Sequence, residues 1–167
     1  TALTLAKALV NEKIYVDLLV AKKKINNNLS RTLGISKSNA KFFNKYIQNI
    51  DDIIWKIKKI EVFSDNLKNE KILNFENKNN KIFSIVKNSN LSQILEKNLC
   101  KSIYFSKINS IKKINFLKDY NLVINTDYSN EITNRYFSKK FTKKYNSFAY
   151  TTIIQHEKCK NEVATQI

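Results

Sequence analysis

The sequence predicts a mixed α/β fold, and three observations support that prediction. Residues 1–10 place alanines and leucines at helical spacing, and the aliphatic and β-branched run Ile14–Val20 follows after a short polar break. A helix that leads directly into a buried strand is the second half of a βαβ unit. Further short apolar runs then alternate with helical segments. With 167 residues and 43% hydrophobic content, the chain is large enough to bury a core.

A loop and a second helix follow the first strand. Residues 21–29 are polar and rich in asparagine, which predicts a loop. Ser36 is a good N-cap, because its hydroxyl can accept a hydrogen bond from the first turn of a helix. The spacing that follows predicts this second helix over Lys37–Tyr46.

Residues 57–76 predict a β-hairpin. Two apolar runs, at 60–63 and 72–75, flank the polar turn at 64–69. A third apolar run at 82–86 is predicted to extend the same sheet. The hairpin is therefore an insertion between helical elements.

The second half of the chain continues the alternation. Leu91, Ile94 and Leu95 predict a helix over 90–98. The later predicted strands are at 102–105, 122–124, 149–155 and 162–167, and the last two are predicted to pair antiparallel. A helix capped by Ser129 or Asn130 is predicted to run through about Phe137. The aromatic residues assigned to core positions are Tyr15, Phe63, Phe105 and Phe148.

The formal charge of +16 raises the question of an anionic partner. The 28 lysines accompany 24 asparagines and 22 isoleucines, a bias that AT-rich coding produces at solvated positions without selection for a phosphate surface. The glycine and aromatic signature of common single-strand binders is also missing. We therefore predict no nucleic-acid partner.

No site for a metal or for nucleophilic catalysis emerges from the residue spacing. Cys100 and Cys159 lie far apart, and the single histidine, His156, sits in a charged loop where a surface role is favoured. No apolar run approaches the length of a membrane span. Met is absent, and residues 1–6 already look like the middle of a helix, so we expect an internal fragment.

Two residues admit both a functional and a structural interpretation. The lone arginine of the segment 30–36, Arg31, is compatible with a nucleotide site beyond the end of a strand, but a helix cap or an ion pair with a carboxylate is the favoured interpretation. Asp127 follows an apolar run and is either a carboxylate at a cofactor groove or an ordinary helix N-cap. Periodicity alone leaves both questions open.

Several segments, taken in chain order, resemble one family. The chain is similar to the ubiquinone-biosynthesis branch of the flavin monooxygenases that share the para-hydroxybenzoate hydroxylase fold. Residues 1–9 resemble the helix after the family's GxGxxG loop, and the other matching segments are Arg31–Ser38, Ile85–Leu91 with Ile94 and Leu95, Leu122–Asp127, Gln155–Lys158 and Ala164–Ile167. The first three resemble, in order, the family's D-x-R-T-x-x-[IL]-S segment, its I-V-E-N-R-x-L-x-x-x-L segment and the strand leading into A-D-G-x-x-S. The last two together resemble its H-E-K-P-H hairpin.

The chain also departs from the family at positions that matter for the cofactor. Val20 stands near the position of the acid that binds the ADP ribose, Leu29 replaces the Asp of D-x-R, Ser89 replaces an Arg, and Tyr128 replaces a Gly. These substitutions keep open an alternative: a degenerate, non-catalytic α/β binding module that has lost FAD.

The resemblance implies a fold and a division of the chain. It implies a partial Rossmann-like FAD-binding domain over 1–145, lacking its first strand and carrying an inserted hairpin around 57–86. Residues 146–167 would begin the antiparallel sheet of a substrate domain. The residues it implies at the cofactor are Arg31, Thr32, Asn88, Ser89 and Asp127.

The resemblance also implies an activity. The intact parent would be an FAD-dependent monooxygenase that takes electrons from NAD(P)H or another external donor and hydroxylates a polyprenylated aromatic ring, while the fragment alone would be inactive. No catalytic side chain is identified and no metal is expected. A lipid-tailed substrate implies a cytoplasmic protein, peripheral at the inner membrane, that works beside other ubiquinone-biosynthesis proteins.

Overall fold

A computed structural model of the chain describes residues 1–20, 31–64, 70–77, 81–108, 118–127, 131–136, 141, 143–148, 150, 152–154 and 162–166. Within these ranges the fold is mixed α/β, which confirms the predicted class at that level. The helices are α1 (Ala2–Asn11), α2 (Lys37–Tyr46), α3 (Asn88–Leu99) and α4 (Glu131–Tyr136). The strands are β1 (Val16–Leu19), β2 (Thr32–Ser36), β3 (Ile54–Ile57), β4 (Lys59–Ser64), β5 (Glu70–Glu76), β6 (Phe83–Lys87), β7 (Phe105–Ile108) and β8 (Val163–Gln166).

The first helix and the first strand form where the sequence predicts them, but β1 is not buried as predicted, because its residues alternate between half-buried and exposed. α1 buries Ala6 and Val10 against Leu99 of α3, and β1 pairs in parallel with β7. β7 begins where the strand predicted at 102–105 was expected to end. Ser102 explains the shift, because its hydroxyl accepts a hydrogen bond from the Tyr104 N–H at 3.2 Å and closes a turn there.

The second sheet has the order β2-β6-β3, with both pairings antiparallel. Ser36 caps α2 as predicted, since its Oγ accepts from the Asn39 N–H at 3.2 Å. No strand was predicted over Thr32–Ser36, where β2 forms, or over Ile54–Ile57, where β3 forms. A polar, glycine-containing segment gives little strand signal alone, and pairing with β6 supplies what the local sequence lacks.

β6 does not extend the hairpin sheet, as the apolar run at 82–86 was predicted to do. It is the central strand of the second sheet, and both Ser84 and Val86 are fully buried there. β5, the outer strand of the hairpin, is exposed along its whole length. An apolar strand buries more of its surface between β2 and β3, under α3, than it would beside the exposed strand β5.

The predicted hairpin is confirmed as β4 and β5, which pair antiparallel. The last strand is also confirmed, but β8 lies parallel to β4 rather than antiparallel to 149–155. Residues 150 and 152–154 form no strand. A salt bridge of 2.6 Å between Lys58 and Glu162 fixes the start of β8 beside β4. The division into two domains between residues 145 and 146 stays a prediction. The sheet β5-β4-β8 contains strands from both sides of this predicted boundary.

The apolar run 122–124 is not part of a strand, contrary to the prediction. Leu122 is 71% exposed, and no described strand pairs with it. α4 follows close to its predicted position. The core assignments were wrong for Tyr15 and Phe148, which are 77% and 87% exposed, whereas Phe63 and Phe105 are half-buried.

Candidate functional site

The pairing of β2 with β6 brings together four of the five residues that the sequence singled out. Thr32 pairs with Lys87, and the Asn88 N–H donates to the Arg31 carbonyl at 2.9 Å. Ser89 comes next on α3. Two segments more than fifty residues apart in sequence therefore meet at one end of the second sheet, where β2 begins and β6 runs into α3.

The side chains at this junction suit binding rather than acid–base chemistry. Arg31 and Thr32 are exposed, and Asn88 and Ser89 are half-buried. A guanidinium offers planar donors only, while an amide and a hydroxyl can both donate and accept. Such a set can hold an anionic or carbonyl-bearing ligand, but it contains none of the residue types that commonly act as general acids or bases. The junction is a candidate binding surface with no proton donor of its own.

Asp127 belongs to a second network, at the approach to α4. Its N–H donates to Asn125 Oδ1 at 3.1 Å, and Thr133 Oγ donates to the Asp127 carbonyl at 2.7 Å. The Asn125 amide also donates to Thr133 Oγ, at 2.5 Å. Thr133 is buried. These bonds tie the segment before α4 to the helix itself, and because they involve only the Asp127 backbone, both interpretations of its carboxylate stay predictions.

A cleft that the sequence did not reveal lies between α1, β1 and the segment 119–126. Its volume is about 450 Å³, within the range of ligand pockets. Its apolar lining comes from α1, from residues 14–18 and from the segment 119–126, and its polar lining includes Asp17, Tyr120 and Asn121. The apolar run 122–124, which was predicted as a strand, contributes Leu122 and Ile124 to the lining, but no local pattern in the sequence predicts the cleft.

Tyr120 is the most strongly perturbed titratable group of this cleft. Burial raises the pKa of Tyr120 to about 12, and the hydrogen bond that its hydroxyl donates to the Asp17 carboxylate adds to the shift. A phenol held neutral in this way is a hydrogen-bond donor at physiological pH and not a base.

A separate cluster of charges stabilises the hairpin. Glu61 accepts from Lys59 at 2.7 Å and from Lys71 at 2.5 Å. The hydrogen bond from Lys59 is the main cause that lowers the pKa of Glu61, followed by the one from Lys71. All three side chains lie on the antiparallel pair β4 and β5, so this cluster is a cross-strand ion network.

The other candidate chemistries find little support in the described ranges. There, no three residues among His, Cys, Asp and Glu converge as metal ligands, and no helix is long and apolar enough to cross a membrane. Cys100 is an exposed free thiol. His156 and Cys159 lie outside the described residues, as do Leu29 and Tyr128.

Comparison with known proteins assigns no family, because no family model matches the chain and no curated protein gives a significant match.

Proposed function

We propose that this chain is part of an FAD-dependent monooxygenase that hydroxylates a polyprenylated aromatic ring in ubiquinone biosynthesis. The observation that carries the proposal is the junction of Arg31 and Thr32 with Asn88 and Ser89. The sequence resemblance assigns both segments to one cofactor groove, and the hydrogen bond from the Asn88 N–H to the Arg31 carbonyl makes them neighbours. The parallel pair β1 and β7 behind α1 is compatible with a partial Rossmann-like sheet.

The residues present fit the flavin in part. The Arg31 guanidinium and the Asn88 amide could hydrogen-bond the polar edge of the flavin ring. The pyrophosphate is different, because Gly34 is the only glycine of the chain and is held in β2 opposite Ile85. A glycine loop for the phosphates would have to come from outside these 167 residues. The backbone of Asp127 bonds to Asn125 and Thr133, on the approach to α4.

The contribution of this chain would be to bind and orient. FAD, when bound, supplies oxygen activation in enzymes of this class. The electrons would come from NAD(P)H or another external donor, and Arg31 and Asn88 would position the ring. The net charge of +16 would favour a cytoplasmic protein held at the inner face of the membrane by anionic lipid. Liposome binding that is absent at low salt would contradict this location.

Flavin content of the complete gene product tests the proposal. We expect a yellow preparation with the absorbance spectrum of a bound flavin. Arg31→Ala should weaken FAD binding about tenfold or more, the loss typical of a hydrogen bond to a charged group. Arg135→Ala is the matched control: Arg135, on α4, is the only other arginine, and its guanidinium lies over the Tyr136 ring. This variant should bind FAD as the unmodified protein does.

A colourless product that binds no added FAD would overturn the proposal. Such a result would favour the degenerate binding module, an alternative that the departures from the family at Val20 and Ser89 support. Equal losses in the Arg31 and Arg135 variants would show that general basic charge, and not the junction, attracts the cofactor.

A further inference from the structure

The aromatic face of α2 consists of Lys41, Phe42, Lys45 and Tyr46, all of which are exposed. Phe42 is 56% exposed and Tyr46 is 49% exposed. Their rings lie one helical turn apart, with centroids separated by 5.0 Å, and form one apolar surface. Phe43, the neighbour of Phe42, instead packs against the buried core of the second sheet. One of two adjacent phenylalanines therefore points inwards, while the other lies at the surface.

The two lysines lie beside this aromatic pair. The Lys45 ammonium is 4.8 Å from the centroid of the Tyr46 ring. With 3.6 residues per turn, all four residues of the aromatic face fall within roughly 140° of the helix circumference. α2 contains no aspartate or glutamate. The helix thus combines aromatic rings and positive charge on one side.

The opposite side of α2 holds the helix to the rest of the fold. Ala40 is buried, and the Asn44 side chain donates to the Asp51 carboxylate at 2.9 Å and accepts from the Ile50 N–H at 3.0 Å. Asn44 lies about 200° around the helix from Phe42. The acidic residue closest to α2 in sequence is therefore bonded on the far side, and the aromatic face keeps its positive charge.

This combination of side chains is complementary to the surface of an anionic lipid bilayer. Phenylalanine enters the boundary between headgroups and acyl chains, and tyrosine places its ring there with its hydroxyl at the headgroups. Lysine stems lie along apolar surface while their ammonium groups reach the lipid phosphates. A second copy of the chain is a poorer partner, because a two-fold contact through this face would bring the lysines of both copies together.

We propose that the aromatic face of α2 is the surface through which this protein binds anionic membranes. α2 would lie parallel to the bilayer, with Phe42 and Tyr46 at the level of the headgroups and acyl boundary and both lysines among the anionic headgroups. The inference rests on the membrane location in the proposed function and names the face and the lipid class. Vesicle binding needs no flavin, so a colourless protein that binds vesicles through α2 would contradict the flavin proposal alone.

Co-sedimentation of the unmodified chain with vesicles is the first test. Vesicles of phosphatidylcholine are the neutral reference, and vesicles with added phosphatidylglycerol are the anionic probe. At low salt we expect at least tenfold tighter binding to the anionic vesicles, because each lysine near such a surface contributes about 1 kcal/mol. Binding should weaken as salt screens these charges.

An aromatic substitution with a matched control locates the apolar part of the face. Phe42→Gln should weaken binding to anionic vesicles about tenfold, because the inserted ring is lost. Phe75→Gln changes a phenylalanine of β5 that is 52% exposed, and it should leave the binding unchanged.

A charge substitution with its own control locates the basic part. The double variant Lys41→Gln with Lys45→Gln should weaken binding tenfold or more. Lys97→Gln with Lys101→Gln removes the same charge from exposed positions at the end of α3 and should have little effect.

A tryptophan at position 42 measures insertion directly. Phe42→Trp combined with Trp55→Phe leaves a single tryptophan, because Trp55 is the only one in the chain. Its emission should shift to shorter wavelength on anionic vesicles and should be quenched by brominated lipid. The emission of Trp55 in the unmodified chain, from an exposed position of β3, is the control and should stay unchanged.

Four results would contradict the proposal. Equal binding to neutral and anionic vesicles, or binding to neither, needs no variant to fold. Equal losses in the α2 variants and their controls would show that general basic charge attracts the lipid. Binding without a change in the emission from position 42 would exclude insertion of this face. Binding of a single-stranded RNA that the α2 lysine variant loses, without binding to vesicles, would assign the face to nucleic acid.

Discussion

The sheet β2-β6-β3 and the pair β1-β7 differ in how much apolar surface their strands and neighbouring helices bury. β6 has a partner on each edge, and the core of this region contains Ile50, Val86 and Leu95, which are almost completely buried. Among the described strands β1 has one partner, β7, and the buried core beside it consists of Ala6, Val10 and Leu99. Smaller side chains and an open edge bury less apolar area per residue.

α3 contributes side chains to the cores of both regions. Leu91 and Leu95 pack into the first core, and Leu99, one turn further, packs into the second. Polar bonds reinforce the connection, because the Asn11 amide of α1 donates at 2.9 Å to the carbonyls of Tyr46 and Ile47, at the end of α2. The two regions therefore share α3 but differ in how completely their apolar side chains are buried.

The largest expected effect comes from removing a side chain at the centre of the first region. Leu95 is 2% exposed, and Leu95→Ala should lower the free energy of unfolding by about 2–5 kcal/mol, because it loses burial and leaves a cavity. Leu122→Ala is the matched change at the cleft and should stay within about 0.5 kcal/mol. Urea unfolding followed by circular dichroism measures both. Similar losses in the two variants would refute the contrast between the regions.

Local sequence signals were sufficient where an element is defined by its own residues. The spacing in α1 and the Ser36 cap of α2 predicted both helices, since helical contacts link residues three or four apart. The hairpin followed from two apolar runs and a polar turn. In each of these elements the partners of a residue lie nearby in sequence, so no distant information was needed.

The errors occur where a distant strand decides the outcome. β2 and β3 form only because β6 lies between them, and β8 joins β4 across about a hundred residues of sequence. β-propensity depends on these partners more than on the residues themselves. The candidate junction was predictable by resemblance alone, since no periodicity links Arg31 to Asn88. The cleft needs α1, β1 and 120–126 together, and no single segment reveals it.

A smaller effect should come from the two helix N-termini. The Ser36 hydroxyl caps α2, whereas Thr1 stands at the N-cap of α1 without a side-chain cap bond. Ser36→Ala should cost about 1 kcal/mol of unfolding free energy, and Thr1→Ala should cost close to nothing. Thermal unfolding of both variants measures the difference. If Thr1→Ala were as destabilising as Ser36→Ala, the hydroxyl of Thr1 would be capping α1 in solution.

The smallest effect at neutral pH, and the most specific for the cleft, concerns Tyr120. Burial, with the Asp17 hydrogen bond, raises the pKa of Tyr120 from its ordinary 10.0 to about 12 in the folded chain. The folded state therefore holds the phenolic proton more tightly than the unfolded state. The stability that this contributes is fully present below pH 10 and is lost as the pH rises through about 12.

Tyr120→Phe isolates this contribution, because the other alkaline titrations are common to both proteins. The unmodified chain should be slightly more stable than Tyr120→Phe at neutral pH, and it should lose this advantage as the pH rises through about 12. Tyr46, exposed on α2, gives the control variant Tyr46→Phe, whose alkaline profile should follow that of the unmodified chain. Parallel profiles for all three would mean that the Tyr120 phenol is hydrated and that the cleft is open to water.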